Sequence, residues 1–183
     1  IRFFKMIMKK IITLMGLAAF AFVGQAVAAE KGFKSIFDGK TLEGWNGDPK
    51  FWSVQDGAIT GKTTKENPTK GNTFILWDGG KTGDFDLRLD YKIVGGNSGI
   101  QYRSFKLKNG ADHWRVGGYQ ADIDSGPTYS GICYGEAFRG VLSLRGKKTI
   151  LTVGDDGKLK KSAEEFSKDA DVAKAIKNEQ WNS

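Results

Sequence analysis

The stretch Asp84–Ile93 constrains the fold more than any other part of the sequence. Phe85, Leu87, Leu89, Tyr91 and Ile93 take the odd positions, and Asp84, Asp86, Arg88, Asp90 and Lys92 the even ones. Period-two alternation sets one row of side chains on a core and the other in water, which predicts a strand of an antiparallel sheet. Turn signals recur along the chain: Asp38-Gly39, Asp56-Gly57, Asp78-Gly79-Gly80, Gly95-Gly96-Asn97, Asn109-Gly110, Gly117-Gly118 and Asp155-Asp156-Gly157. Short aromatic and β-branched runs between such turns are the pattern of an all-β sandwich or barrel.

Two further strands follow the same logic. After a Val94-Gly95-Gly96 turn, Ile100 and Tyr102 are predicted on one face and Asn97, Gln101 and Arg103 on the other. Tyr119, Ala121 and Ile123 likewise stand opposite Gln120, Asp122 and Asp124. A solvated face more often shows Lys, Glu and Thr, whereas Asn, Gln, Arg and Asp carry the directional donors and acceptors that orient a polyhydroxylated ligand. Trp45 and Trp52 sit among strand residues and read as core. One helix is predicted near Lys168–Lys177, capped by Ser167, with Asp169 and Asp171 in its first turn and an apolar stripe of Ala170, Ala173 and Ile176. With no repeat and no linker, residues 29–183 read as a single β-sandwich domain.

The N-terminal part reads differently. Met8-Lys9-Lys10, the apolar run 11–23 and Ala26-Val27-Ala28 form the head, middle and small-x-small end of a secretory signal peptide, cut before Ala29. The apolar run is 13 residues long, short of the roughly 20 that cross a bilayer. Residues 1–28 are therefore read as an N-terminal extension and leader, and the mature protein as periplasmic or secreted with no membrane partner. The formal charge of +7 includes Arg2, Lys5, Lys9 and Lys10, all ahead of the first acid, Glu30. What remains is a small surplus, with basic residues dispersed among acids, which argues against a nucleic-acid partner.

Much chemistry is excluded by composition. One histidine, His113, and one cysteine, Cys133, cannot build a His/Cys metal cluster or an internal disulfide. Cys133 reads as a small buried apolar residue. No Gly-x-Ser-x-Gly is present to supply a nucleophile elbow. Gly61-Lys62-Thr63 and Gly80-Lys81-Thr82 lack the upstream glycine of a phosphate-binding loop and read as turns. Retaining β-glucanases of the jelly-roll type set two carboxylates roughly 5 Å apart from a Glu-x-Asp-x-x-Glu strand, and no glutamate here has aspartate two residues on.

Several spaced motifs carry a resemblance. Gly32-Phe33-Lys34-Ser35-Ile36-Phe37-Asp38-Gly39-Lys40-Thr41-Leu42-Glu43-Gly44-Trp45 is followed by Trp52-Ser53-Val54-Gln55-Asp56-Gly57-Ala58-Ile59-Thr60-Gly61, then by Asp84-Phe85-Asp86-Leu87. Next come Asn97-Ser98-Gly99-Ile100-Gln101-Tyr102-Arg103-Ser104, Gly118-Tyr119-Gln120-Ala121-Asp122-Ile123, Tyr134-Gly135-Glu136 and Arg139-Gly140. Together they resemble the 3-keto-disaccharide hydrolase family, also described as 3-keto-glucoside lyase/hydratase domains, over about residues 32–183. The resemblance implies a concanavalin A-like jelly-roll sandwich of two antiparallel sheets and a bacterial carbohydrate-catabolic enzyme. Its substrate would be an oligosaccharide or glycoside oxidised to a ketone at C3. Many members read Tyr-Glu-x-Gln where this chain has Tyr119-Gln120-Ala121-Asp122, which moves the carboxylate two residues along one strand face. In the family the terminal Trp-Asn is followed by further strands, so the sequence is expected to lack its last strands after Trp181-Asn182-Ser183.

A C3 ketone acidifies the hydrogen on C2, so one base can remove it while the C1 substituent leaves and water then adds. Such a site needs a base, a donor or cation for the enolate, and hydrogen bonds that fix the ring. The candidates are Asp122 or Glu136 as base, with His113 third, and Arg103 as the enolate or hydroxyl donor. Asn97, Gln101 and Gln120 would orient hydroxyls, and Asp124 would help to hold a divalent metal ion if one is used, though no motif demands one. The rival reading is a non-catalytic, lectin-like carbohydrate-binding module on the same sandwich.

Overall fold

The computed structural model describes residues 31–107 and 114–183. Its strands are β1 (Trp45–Gly47), β2 (Trp52–Gln55), β3 (Ala58–Gly61), β4 (Ile75–Trp77), β5 (Asn97–Lys106), β6 (Val116–Asp124), β7 (Cys133–Glu136), β8 (Gly140–Ser143), β9 (Lys147–Val153) and β10 (Leu159–Glu165). One helix, α1 (Asp169–Ala175), follows them. Every strand pairing is antiparallel: β5-β6-β7-β8 form a four-stranded sheet, and β1-β4, β2-β3 and β9-β10 are two-stranded ladders. Mostly antiparallel strands with one short helix near the C-terminus are consistent with the all-β sandwich predicted from the sequence.

Local chemistry explains the connections. Asp56 (φ 49°) and Gly57 (φ 76°) both take the left-handed conformation that a two-residue hairpin requires between β2 and β3. The Trp52 ring lies so close to Gly61 that an added Cβ there would come within 2.8 Å of it. Trp45 donates its Nε1–H to the Ile36 carbonyl at 2.8 Å, so both tryptophans are half-buried and packed by their neighbours. Val116 and Ile123 of β6, Ile132 ahead of β7 and Leu142 of β8 are buried. Beside them Tyr102 stacks on Tyr119 at 5.7 Å, and the Phe138 ring stands edge-on to both Tyr119 and Phe105.

Three expectations are corrected. The stretch Asp84–Ile93 is not a ladder strand: only Tyr91 pairs, exchanging backbone hydrogen bonds with Asn182 at 2.8 and 2.9 Å. Phe85, Leu87 and Leu89 are exposed. Alternation specifies which face a side chain takes, but a strand also needs a partner for its backbone groups; β5, the edge of its sheet, pairs with β6 alone. Gly117-Gly118 is not a turn but part of β6, and Asn109-Gly110 lies outside the described residues. The helix is shorter than predicted, with Lys168 in place of Ser167 at its N-cap and no side-chain cap bond; none of its residues is buried.

One irregularity matters for the site. Tyr102 pairs with Tyr119 and Phe105 with Gly117, so Arg103 and Ser104 together stand opposite Gly118. This is a β-bulge, with Arg103 in the left-handed conformation (φ 49°). Gly118 admits it, since a Cβ there would stand 3.0 Å from the Tyr102 carbonyl oxygen and 3.1 Å from Ser104 Cα.

Candidate functional site

The β5–β6 register sorts the sheet into two faces. Asn97, Gly99 and Gln101 stand opposite Asp124, Asp122 and Gln120, while Ser98, Ile100 and Tyr102 stand opposite Ile123, Ala121 and Tyr119. Paired residues share a face, and the period of two carries that face along each strand. Across β6 and β7, Glu136 pairs with Gly118 and Tyr134 with Gln120, which sets both on the polar face. Six of the sequence candidates are thereby brought to one face of one sheet: Asn97, Gln101, Gln120, Asp122, Asp124 and Glu136.

Asp122 is the centre of this face. It is 8 % exposed, and the Gln120 side-chain amide donates to its Oδ1. Burial pushes its carboxyl above the usual carboxylate range; the Gln120 and Asn97 hydrogen bonds oppose that shift, and the nearby Asp124 charge adds to it. Its backbone is fixed on both sides, with its N–H on the Ile132 carbonyl at 3.2 Å and its carbonyl on the Gly131 N–H at 3.1 Å. Glu136, 7 % exposed, shares the face one strand away. Gln101 donates to Ser104 Oγ at 3.4 Å, while its buried Oε1 has no hydrogen-bond partner.

Asp124 is tied to the loop that follows it. Its Oδ2 accepts the Tyr129 N–H at 3.2 Å, and its backbone exchanges two hydrogen bonds with Ser130 Oγ at 2.8 and 2.9 Å. Among the described residues no cluster of three or more His, Cys, Asp and Glu side chains is poised to hold a metal ion.

Arg103 leaves the polar row that simple alternation assigned to it. The bulge re-aims it, and its Nη2 meets Asp84 Oδ1 at 2.8 Å. That pair borders an open groove of about 1090 Å³ between the Asp84–Tyr91 stretch and the β5–β6 pair, lined by Phe85, Leu87, Ile100 and Tyr102 and reached also by Asp122. On its β5–β6 side this groove lies against Ile100, Tyr102, Ala121 and Ile123, the face opposite the one that carries Asp122, so Arg103, ion-paired to Asp84, and the Asp122 side chain stand on different faces of the sheet. His113, the third base candidate, lies outside the described residues. Cys133 is half-buried; its Sγ lies 3.7 Å from the Tyr102 hydroxyl, and burial, with Cys133 as the next cause, pushes that phenol up to about 12.

Sequence reasoning missed two members of this arrangement. Tyr134 follows from counting back two positions from Glu136 on the same strand. Gly99 follows from its place between Asn97 and Gln101, where a side chain would collide with Gln120.

The family described as the 3-keto-alpha-glucoside-1,2-lyase-like domain matches residues 32–183. The chain belongs to this family. As a 3-keto-alpha-glucoside-1,2-lyase-like domain, it includes in its matched region every candidate residue from Asn97 to Glu136. A 3-keto-disaccharide hydrolase of Bacteroides thetaiotaomicron is 39 % identical over 83 residues, a match spanning 39 % of this chain and 27 % of that protein. The chain therefore aligns with less than a third of that relative's length. No solved structure matches the chain.

Proposed function

We propose that the protein cleaves 3-keto-glycosides by removing the C2 proton, with Asp122 as the base. The observation that carries this reading is one buried carboxyl, raised by its surroundings, within a face of amide side chains. A base whose pKa lies nearer neutrality holds an abstracted proton better while still being ionised in part of the population. The Asp122 carboxylate takes the C2 hydrogen as a proton, and the electron pair moves into an enolate between C2 and C3. Collapse of the enolate restores the C3 carbonyl, forms the C1–C2 double bond and expels the C1 oxygen, which leaves with the aglycone and takes up a proton. Water then adds its hydroxyl to C1 and a proton to C2, so the net change is hydrolysis. Family membership and the name of the Bacteroides relative support this substrate class.

Other side chains fit supporting parts. The unpartnered Gln101 Oε1 accepts a ring hydroxyl, with Asn97 and Gln120 beside it. Arg103, turned by the bulge to the groove side and paired with Asp84, takes no part in this site on the polar face. Glu136 is the second candidate base. Export is part of the same proposal: the leader ends at Ala28, and residues 29–183 act outside the cytoplasm as one domain.

The deciding experiment incubates the protein with a 3-keto-disaccharide and with its unoxidised parent, in deuterated water. Cleavage of the oxidised sugar alone, with deuterium at C2 of the released 3-keto sugar, is expected. Saturable binding of the unoxidised sugar without any product would overturn the enzymatic reading in favour of a lectin-like module.

A further inference from the structure

Arg145, in the turn between β8 and β9, is the most deeply placed cation among the described residues, 5 % exposed. Its guanidinium serves three partners at once. Nη1 donates to the Ser130 carbonyl at 3.1 Å, and Nη2 to the Pro127 carbonyl at 3.0 Å. Nε and Nη2 grip the two Asp169 oxygens at the start of α1, at 2.8 and 3.2 Å. The aliphatic stem lies against Gly131, where a Cβ would stand 3.5 Å from Arg145 Cδ.

The carbonyls that Arg145 holds belong to the loop that fixes the two carboxylates of β6. Ser130, 2 % exposed, locks the Asp124 backbone from both directions, and the Tyr129 N–H holds the Asp124 carboxylate. One residue on, the Gly131 N–H takes the Asp122 carbonyl. The line of contacts runs Asp169, Arg145, the 125–131 loop, then Asp124 and Asp122. We infer that Arg145 is a positioning residue: clamped by Asp169, it pins the 125–131 loop and thereby sets how Asp122 and Asp124 are presented on the polar face. This rests on Asp122 being the base, and it adds a control point remote from the substrate.

Only arginine fits this post. Its planar fork addresses a carboxylate and two carbonyls in fixed directions, whereas a lysine ammonium is a single point of charge on a flexible stem. Without the fork, the Ser130 and Pro127 carbonyls lose their donor, and the loop is free to move away from β6. Asp122 then loses part of its burial, the largest cause of its raised carboxyl. The charged group that acts on it is Asp124 on its own strand, and Glu136 shares the face from β7, opposite Gly118; Asn97 and Gln120 are neutral.

The test compares wild type, Arg145→Lys and Asp169→Asn by carboxyl-carbon NMR titration of Asp122 and by turnover of a 3-keto-disaccharide. In Arg145→Lys the Asp122 midpoint is expected to fall toward the ordinary aspartate value, and kcat to drop at least about tenfold with KM little changed. Asp169→Asn, which keeps one acceptor for the guanidinium, is expected to shift both in the same direction by less. It also keeps the question open to refutation if Arg145→Lys does not fold. An unchanged Asp122 midpoint in both variants, with thermal stability alone reduced, would show Arg145 to be merely structural. If wild type turns over no 3-keto sugar, the proposed function fails, while the titration still decides the role of Arg145.

Discussion

Gly99 lies directly across the β5–β6 ladder from Asp122, and the space left by its absent side chain is filled by Gln120. A Cβ at residue 99 would come within 2.5 Å of Gln120 Cγ and 2.8 Å of the Ala121 carbonyl oxygen. The glycine is what allows the Gln120 amide to reach along its own strand to Asp122. Gly99→Ala is therefore expected to cost about 1–3 kcal/mol through overpacking and to break the Gln120–Asp122 hydrogen bond. That bond lowers the Asp122 carboxyl, so its loss raises the midpoint further, and the acid limb of the pH–rate profile moves to higher pH. Denaturant unfolding and the pH profile of kcat read the two effects separately.

Asp122→Asn keeps the shape of the side chain and removes the base. Turnover of a 3-keto-disaccharide is expected to fall by about two to four orders of magnitude. The stability effect has a definite sign. Wild-type Asp122 has a folded value above its ordinary 3.8, so the stability it contributes is complete below that ordinary value. As pH rises through the raised folded value the contribution is lost, because the folded state must then bury a charge. Asp122→Asn should therefore flatten the fall in stability on the alkaline side of pH 4 (~1 pH unit steps of urea unfolding resolve it). Glu136→Gln in the same assay tells the two candidate bases apart.

How far the site was legible follows from these residues. Period-two counting put Asn97, Gln101, Gln120, Asp122 and Asp124 on polar faces, and the ladder register then joined those faces across β5 and β6. Counting cannot see a bulge, because the extra residue leaves no mark in the alternation; Arg103 was assigned to the polar row and instead meets Asp84. Asp84–Ile93, the clearest alternation in the chain, lacks a ladder because pairing is decided by what comes alongside. The role of Arg145 was invisible for a related reason. Its partners Pro127, Ser130 and Asp169 are 15 to 24 positions away in sequence, and no local pattern links a turn arginine to a loop carbonyl.

The Asp38 turn makes a prediction independent of the site. Asp38 accepts the Lys40 and Thr41 N–H groups and the Thr41 hydroxyl, each at 2.7 Å. The Thr41 and Lys40 N–H groups, with the Thr41 hydroxyl, hold its carboxyl at about 2, below the ordinary 3.8. A depressed folded value gives stability that is present above pH 3.8 and lost as pH falls through about 2. Asp38→Asn should remove part of the acid-side loss of stability between those limits. A wild-type-like acid limb in urea unfolding would mean that the turn does not depend on the charge.

Arg103 and Asp84 test where the site ends. Their ion pair is exposed on both sides, with Asp84 fully in water, so solvent and salt screen it and neither partner holds the fold. Asp84→Ala should leave the thermal midpoint unchanged and, because Arg103 stands on the groove side of the sheet, leave kcat unchanged as well. Arg103→Lys keeps the charge but loses the planar fork; on the face away from Asp122 it should likewise leave both kcat and the midpoint unchanged. Differential scanning calorimetry beside steady-state turnover distinguishes the outcomes. A loss of turnover in Arg103→Lys would mean that the guanidinium reaches the reacting sugar, and that the site extends beyond the polar face of Asp122.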